Sequence, residues 1–153
     1  MNSEINQNWI IDDLVTKWEG NKKYTLEVLE AMPESAYEYS PHSDLMSFHK
    51  QAVHIEYAFH YHWRATSNPP LPKLDPTSKA SMIASFTQIF DDIIASFRQM
   101  DPTTLPTTIS MWYGPSSLNR VMNLMDNHLA HHRGQMCVYL RMQGIKPPKY
   151  IGW

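Results

Sequence analysis

Ser78-Lys79-Ala80-Ser81-Met82-Ile83-Ala84-Ser85-Phe86-Thr87-Gln88-Ile89-Phe90-Asp91-Asp92-Ile93-Ile94-Ala95-Ser96-Phe97 is the cleanest amphipathic stretch in this 153-residue chain. Met82, Ile83, Phe86, Ile89, Phe90, Ile93, Ile94 and Phe97 recur at about two per helical turn, which predicts an α-helix with one apolar face. Its limits are marked by Pro76-Thr77-Ser78 before it and Asp101-Pro102 after it. A helix apolar on one face must bury that face against partners, so the remaining sequence has to supply them.

Three further segments do. Upstream, Phe48, Ala52, Ile55, Phe59 and Trp63 share helical spacing in a segment from about Asp44 to Ala65, before the loop-forming Ser67-Asn68-Pro69-Pro70-Leu71-Pro72. A first helix is expected from about Ile5 to Met32, carrying Ile11, Leu14, Trp18, Thr25 and Leu29, and ended by Pro33. The last is expected to start near Pro115-Ser116, to carry Leu118, Val121, Met122, Met125, Leu129, Met136, Tyr139 and Leu140, and to close at Gly144. Thr103 to Gly114 is β-branched and broken by proline, and is read as an extended connection without strand pairing. Four amphipathic helices of this length predict an all-α four-helix bundle, with residues 1–153 as a single domain.

Composition narrows the function classes. Apolar residues make up 42 % and charged residues 18 %, which argues for a globular core and against disorder. No apolar run approaches the ~18 residues that span a bilayer, so no membrane partner is expected. Met1-Asn2-Ser3-Glu4 lacks the basic and apolar blocks of a signal peptide, and a single cysteine, Cys137, excludes an internal disulfide; both point to the cytoplasm. A net charge of −2 gives no electrostatic reason to expect nucleic acid.

Six of the eight histidines fall in two short stretches, His54 to His62 and His128 to His132. At about 100° per residue, His132 lies roughly 10–35° from the centre of the last helix's apolar stripe, His128 roughly 50–75° and His131 roughly 110–135°. His128 and His132 therefore face the core or its edge one turn apart, the spacing with which two imidazoles chelate a cation, whereas His131 points outward. Such a pair can also be satisfied by hydrogen bonds alone, but a metal would satisfy both at once. The zinc-protease motif is absent, because Leu129 stands where its glutamate would be. Cys137, about 160° round the helix from the pair, reads as a small buried hydrophobe. The second helix offers His49, His54, His60 and His62 as a third ligand, and helical periodicity leaves His54 and His62 both open.

The stretch Asn127-His128-Leu129-Ala130-His131-His132-Arg133-Gly134-Gln135, with Tyr139-Leu140-Arg141 and Gly144-Ile145-Lys146-Pro147-Pro148 beyond it, resembles the last helix of the DinB/YfiT-like family. Phe48 followed by His54 resembles that family's second-helix motif, and Met32-Pro33-Glu34-Ser35-Ala36-Tyr37 its first interhelical turn. The resemblance implies a four-helix bundle binding one divalent metal ion, usually nickel or zinc, and it places the ligands on His54, His128 and His132. It also implies a small-molecule substrate and a homodimer; the aromatic first helix, with Trp9, Trp18 and Tyr24, is a second reason to expect a dimer. Better-understood relatives join a low-molecular-weight thiol such as bacillithiol to an electrophile. Others are mycothiol-dependent isomerases with an added C-terminal domain, for which these 153 residues leave no room.

The expected function is therefore a thiol S-transferase, with the thiol as co-substrate. A metal-dependent hydrolase and a non-catalytic metal-binding bundle are the alternatives. Imidazole must be neutral to ligate, so metal occupancy is expected to fall below about pH 6. Arg133 and Arg141 read as helix-surface or interface residues. Trp112 and Tyr113 read as loop-packing residues, the ten methionines as gap fillers in the core rather than a copper site.

Overall fold

The computed structural model describes residues 8–152, so the expected start of the first helix near Ile5 lies outside the described residues. Four helices account for most of these: α1 (Asn8–Ala31), α2 (Phe48–Trp63), α3 (Lys79–Arg98) and α4 (Leu118–Met142). Their limits follow local chemistry. Ser47 caps α2 by accepting from the Lys50 amide, Ser117 does the same for Arg120 in α4, and Ser78 and Ser81 form a reciprocal capping box at α3. The α2 start is thus four residues later than the sequence suggests, because the Ser40 hydroxyl donates to the His42 and Leu45 carbonyls and ties residues 40–45 into a turn. At the end of α4, Gly144 takes φ +72° and the Ile145 amide donates to the Leu140 carbonyl, a left-handed stop that suits glycine.

Side-chain pairs give the helix directions. Lys22–Asp91, Glu19–Arg98 and Glu30–Lys79 run α1 against α3. Trp18–Phe59 joins α1 to α2, while Phe59–Phe90 and Trp63–Phe97 set α2 parallel to α3. Asn21–Asp126 and Tyr24–Cys137 set α4 parallel to α1. The bundle is therefore up-down-down-up, and its core is built around Trp18, Phe59, Phe90 and Phe97, all fully buried.

Two parallel helices in sequence need a crossover running the length of the bundle, and residues 64–78 provide it. It is pinned back along α2: Trp63 Nε1 donates to the Pro69 carbonyl at 2.8 Å, His60 Nε2 lies 3.1 Å from the Pro72 carbonyl, Glu56 accepts from the Leu74 amide, and His49 Nε2 lies 3.0 Å from the Pro76 carbonyl.

The connection before α4 differs from the unpaired stretch expected. Thr108–Met111 (β1) pairs antiparallel with Gly114–Ser117 (β2) around Trp112-Tyr113. Gly114 adopts φ +106° to bring the chain back, a conformation that L side chains rarely take. Pro115 hides this strand from a sequence reading. It faces Ser110 at a non-hydrogen-bonded position, because Leu118 donates to Thr107 and sets the alternation, so its missing N–H costs nothing. The hairpin holds Gly114 to Ser117 in strand geometry and delays α4 to Leu118. Trp112 at its tip is 81 % exposed rather than packed, while Tyr113 is half-buried against the core. Among the described residues, no helix is long and apolar enough to cross a membrane.

Candidate metal centre

Helices α2 and α4 pack antiparallel, and their facing sides bring together His54, His128 and His132. Ring centroids lie 5.0 Å apart for His54–His128, 4.7 Å for His54–His132 and 4.5 Å for His128–His132. One nitrogen from each ring lies within 4.8 Å of the other two. Two nitrogens at 2.0–2.1 Å from a tetrahedral ion stand about 3.3 Å apart, so three rings gathered this closely could hold one metal ion. This is the only such group of histidine, cysteine or carboxylate side chains among the described residues.

The donors themselves fit a cation. His128 Nε2 is buried with no hydrogen-bond partner, an orphaned lone pair or N–H that nothing in the protein satisfies. Burial, and then the neighbouring imidazoles, lower the pKa of both His128 and His132 from 6.5 to about 4, so both rings are neutral at physiological pH. His132 is buried, whereas His54 and His128 are half-buried and leave the group reachable from one side. Exposed Tyr57 borders it, its ring stacked 6.3 Å from that of His54.

The other α2 histidines have different work. His49 and His60 hold the crossover, with His49 also 3.3 Å from Glu38 and His60 3.0 Å from Glu56. His62 donates from Nδ1 to the Ala58 carbonyl of its own helix at 2.8 Å. His131 is exposed, as its position on the helix requires. Cys137 is buried away from the histidines, with its sulfur 3.5 Å from the Tyr24 hydroxyl.

Sequence reading missed two features. Gln51 is 1 % exposed, and its Oε1 lies 2.5 Å from His132 Nδ1, while its Nε2 donates to Gln135 Oε1 at 2.7 Å and reaches the Tyr139 hydroxyl at 3.4 Å. The available signal was an amide lying on the apolar stripe of α2, three residues from Phe48 and four from Ile55. Arg133, expected at the helix surface or an interface, is buried within the single chain. Its Nη1 donates to Asn21 at 2.9 Å and Thr25 at 3.2 Å, and the guanidinium lies over the Tyr24 ring at 4.6 Å. Burial lowers its pKa, and burial with the Cys137 contact pushes the Tyr24 hydroxyl up to about 12. Arg141 is exposed, as expected.

A concavity of about 840 Å³ lies elsewhere. Thr66, Asn68, Leu71, Ser96, Thr104 and Ile109 are among its lining residues, and none of the three histidines is. Its lining includes Ala65, just past the end of α2 and eleven residues from His54, and Leu118, the first residue of α4 and ten residues, about 15 Å of helical rise, from His128. The histidine group thus lies between two helices, separate from that cavity.

A four-helix bundle with a three-histidine cluster between its second and last helices defines the class of protein. The DinB family profile matches residues 1–151, and the chain belongs to the DinB family. Its fold is similar to that of a DinB-like protein from Bacillus cereus, with a TM-score of 0.80 at 17 % identity over 91 % of this chain and 96 % of that one. A DinB-like protein from Bacillus subtilis gives 0.69 at 17 % identity, over 92 % and 96 % of the two chains. No curated protein matches the chain.

Proposed function

We propose that this chain is a divalent-metal-dependent enzyme that transfers a low-molecular-weight thiol to a small electrophile, with His54, His128 and His132 as the protein's ligands. The observation that carries the reading is the three-histidine group itself, with a neutral His128 and His132, an orphaned His128 Nε2 and one side reachable from solvent. Three protein ligands with a position left over is the pattern of catalytic rather than structural zinc sites. When bound, a divalent ion such as nickel or zinc supplies Lewis acidity that favours the ionised form of a thiol or water.

The chain's own residues do the rest. His54 and the two α4 imidazoles present ring nitrogens from two helices, the α4 pair neutral, and the buried side of the group keeps bulk water from one face of the site. No carboxylate joins the group among the described residues, and Leu129 follows His128, so the site offers no evident base for hydrolysis. Thiol transfer needs none beyond solvent: the thiol proton is released, a sulfur–carbon bond forms, and the leaving group departs with the bonding pair. A free thiol with a pKa near 8.5 is only a few per cent ionised at neutral pH, so complete ionisation would contribute roughly one to two orders of magnitude. Lower nucleophilicity of the stabilised thiolate offsets part of that gain.

The test supplies bacillithiol, mycothiol, glutathione and cysteine in turn, each with a chlorobimane, to metal-loaded, metal-free and His132→Ala protein. Turnover by the loaded protein alone is expected for at least one thiol. Background rates with every thiol, from protein shown to carry its metal, would leave a non-catalytic metal-binding bundle as the better account. Turnover that survives metal removal would overturn the proposed source of activation.

A further inference from the structure

We propose that Gln51 is a positioning residue that holds His132 in the tautomer protonated at Nδ1, so that its bare Nε2 is presented to the three-histidine group. The proposal deepens the metal-centre reading and rests on it for its purpose. A neutral imidazole has one donor and one acceptor nitrogen, and which is which depends on the partner each meets. His132 meets Gln51 Oε1 at 2.5 Å through Nδ1 in a buried contact. A carbonyl oxygen can only accept, so that contact requires the proton on Nδ1 and leaves the lone pair on Nε2.

The direction of the Gln51 amide is coupled to that of its neighbours by a chain of bonds. Gln51 Nε2 donates to Gln135 Oε1, and the Gln135 amide nitrogen then lies 2.8 Å from His131 Nε2 and donates to it. The chain would also close in reverse, with both amides turned over and His131 as the donor. In that arrangement His132 would accept at Nδ1 and carry its proton on Nε2, where it could not ligate. Only the first direction serves a metal, and it gives His131, itself excluded as a ligand, the role of terminal acceptor. Gln51 lies on α2, three residues before His54, and Gln135 lies on α4, three after His132. Antiparallel packing therefore sets the amide pair one turn beyond the ligands, where both helices fix its position.

The experiment is nitrogen-15 NMR of the histidine rings in metal-free protein, paired with metal affinity from chelator competition using zinc alone. Wild-type His132 is expected as the Nδ1–H form. Gln51→Leu is expected to lose that preference and to bind zinc roughly ten- to a hundred-fold more weakly. Gln51→Glu, which keeps an acceptor at the same place, should restore the Nδ1–H form and most of the affinity. A purely structural role would make both variants fail alike. The proposal is overturned if wild-type His132 carries its proton on Nε2, a measurement needing no variant, or if folded Gln51→Leu keeps both tautomer and affinity. Wild-type protein with the Nδ1–H form but no zinc affinity would support the action of Gln51 on the ring while sinking the metal-centre reading.

Discussion

The histidines differ less in kind than in surroundings. Eight are present in the chain, yet only three face one another across α2 and α4. Replacing His54, His128 or His132 singly with alanine should remove most of the metal measured by elemental analysis after purification, whereas His131→Ala and His62→Ala should retain it. Full metal content in His128→Ala would refute the ligand set. The depressed pKa values make a second prediction about metal-free protein. The folded state refuses protons on His128 and His132 down to about pH 4, while the unfolded chain takes them up near 6.5. Between those values the unfolded state binds more protons, so folding stability should fall as pH is lowered from about 6.5 towards 4, and these two groups should contribute no slope above that window. Thermal melts across the window should show the decline, and a His128→Gln/His132→Gln double variant should flatten it. A melting temperature insensitive to pH in that range for the wild type would contradict the assigned burial.

Among the elements, α4 has two working faces. One presents the histidine pair to α2; the other seats Arg133 against α1, where Asn21 also bonds to Asp126, and Asp126 pairs with Lys17 at 2.8 Å. A buried guanidinium held by neutral oxygens and an aromatic face leaves those oxygens unpaired if it is removed. Arg133→Ala should therefore destabilise the fold by roughly 2–4 kcal/mol, read from urea unfolding. Arg133→Met, which keeps the packing of the stem, should cost less. An Arg133→Ala variant as stable as wild type would show that the α1–α4 seam does not depend on the guanidinium. The crossover illustrates why polar residues on a helix are hard to interpret by number alone. His49 and His60 are occupied by a proline-rich segment that lies beside α2 only because α2 and α3 run parallel.

For the whole molecule, the expected dimer now rests on less aromatic surface than the sequence suggests. Trp18 is fully buried and Tyr24 is 9 % exposed within the single chain, leaving Trp9, at 57 % exposed, as the outward aromatic of α1 among the three. The resemblance to the DinB/YfiT-like family is the other reason for expecting two copies. Light scattering is expected to give about twice the 17.8 kDa chain mass, and a clean monomer would end that prediction without touching the metal centre.

Four apolar stripes, the glycine that stops the last helix, and the placement of His128 beside His132 were all legible from residue order. Each depends on geometry internal to one helix, where about 100° per residue converts number into direction. The wheel could not choose between His54 and His62, however, and resemblance to the DinB/YfiT-like family supplied that choice. Tertiary structure decided which α2 histidine faces α4, that Gln51 meets His132, that Arg133 is buried, and that Pro115 sits in a paired strand. These outcomes depend on how two helices are rotated and offset against each other, and on the path of a long crossover. Local sequence periodicity does not carry those relations, because they are set by the packing of the whole core.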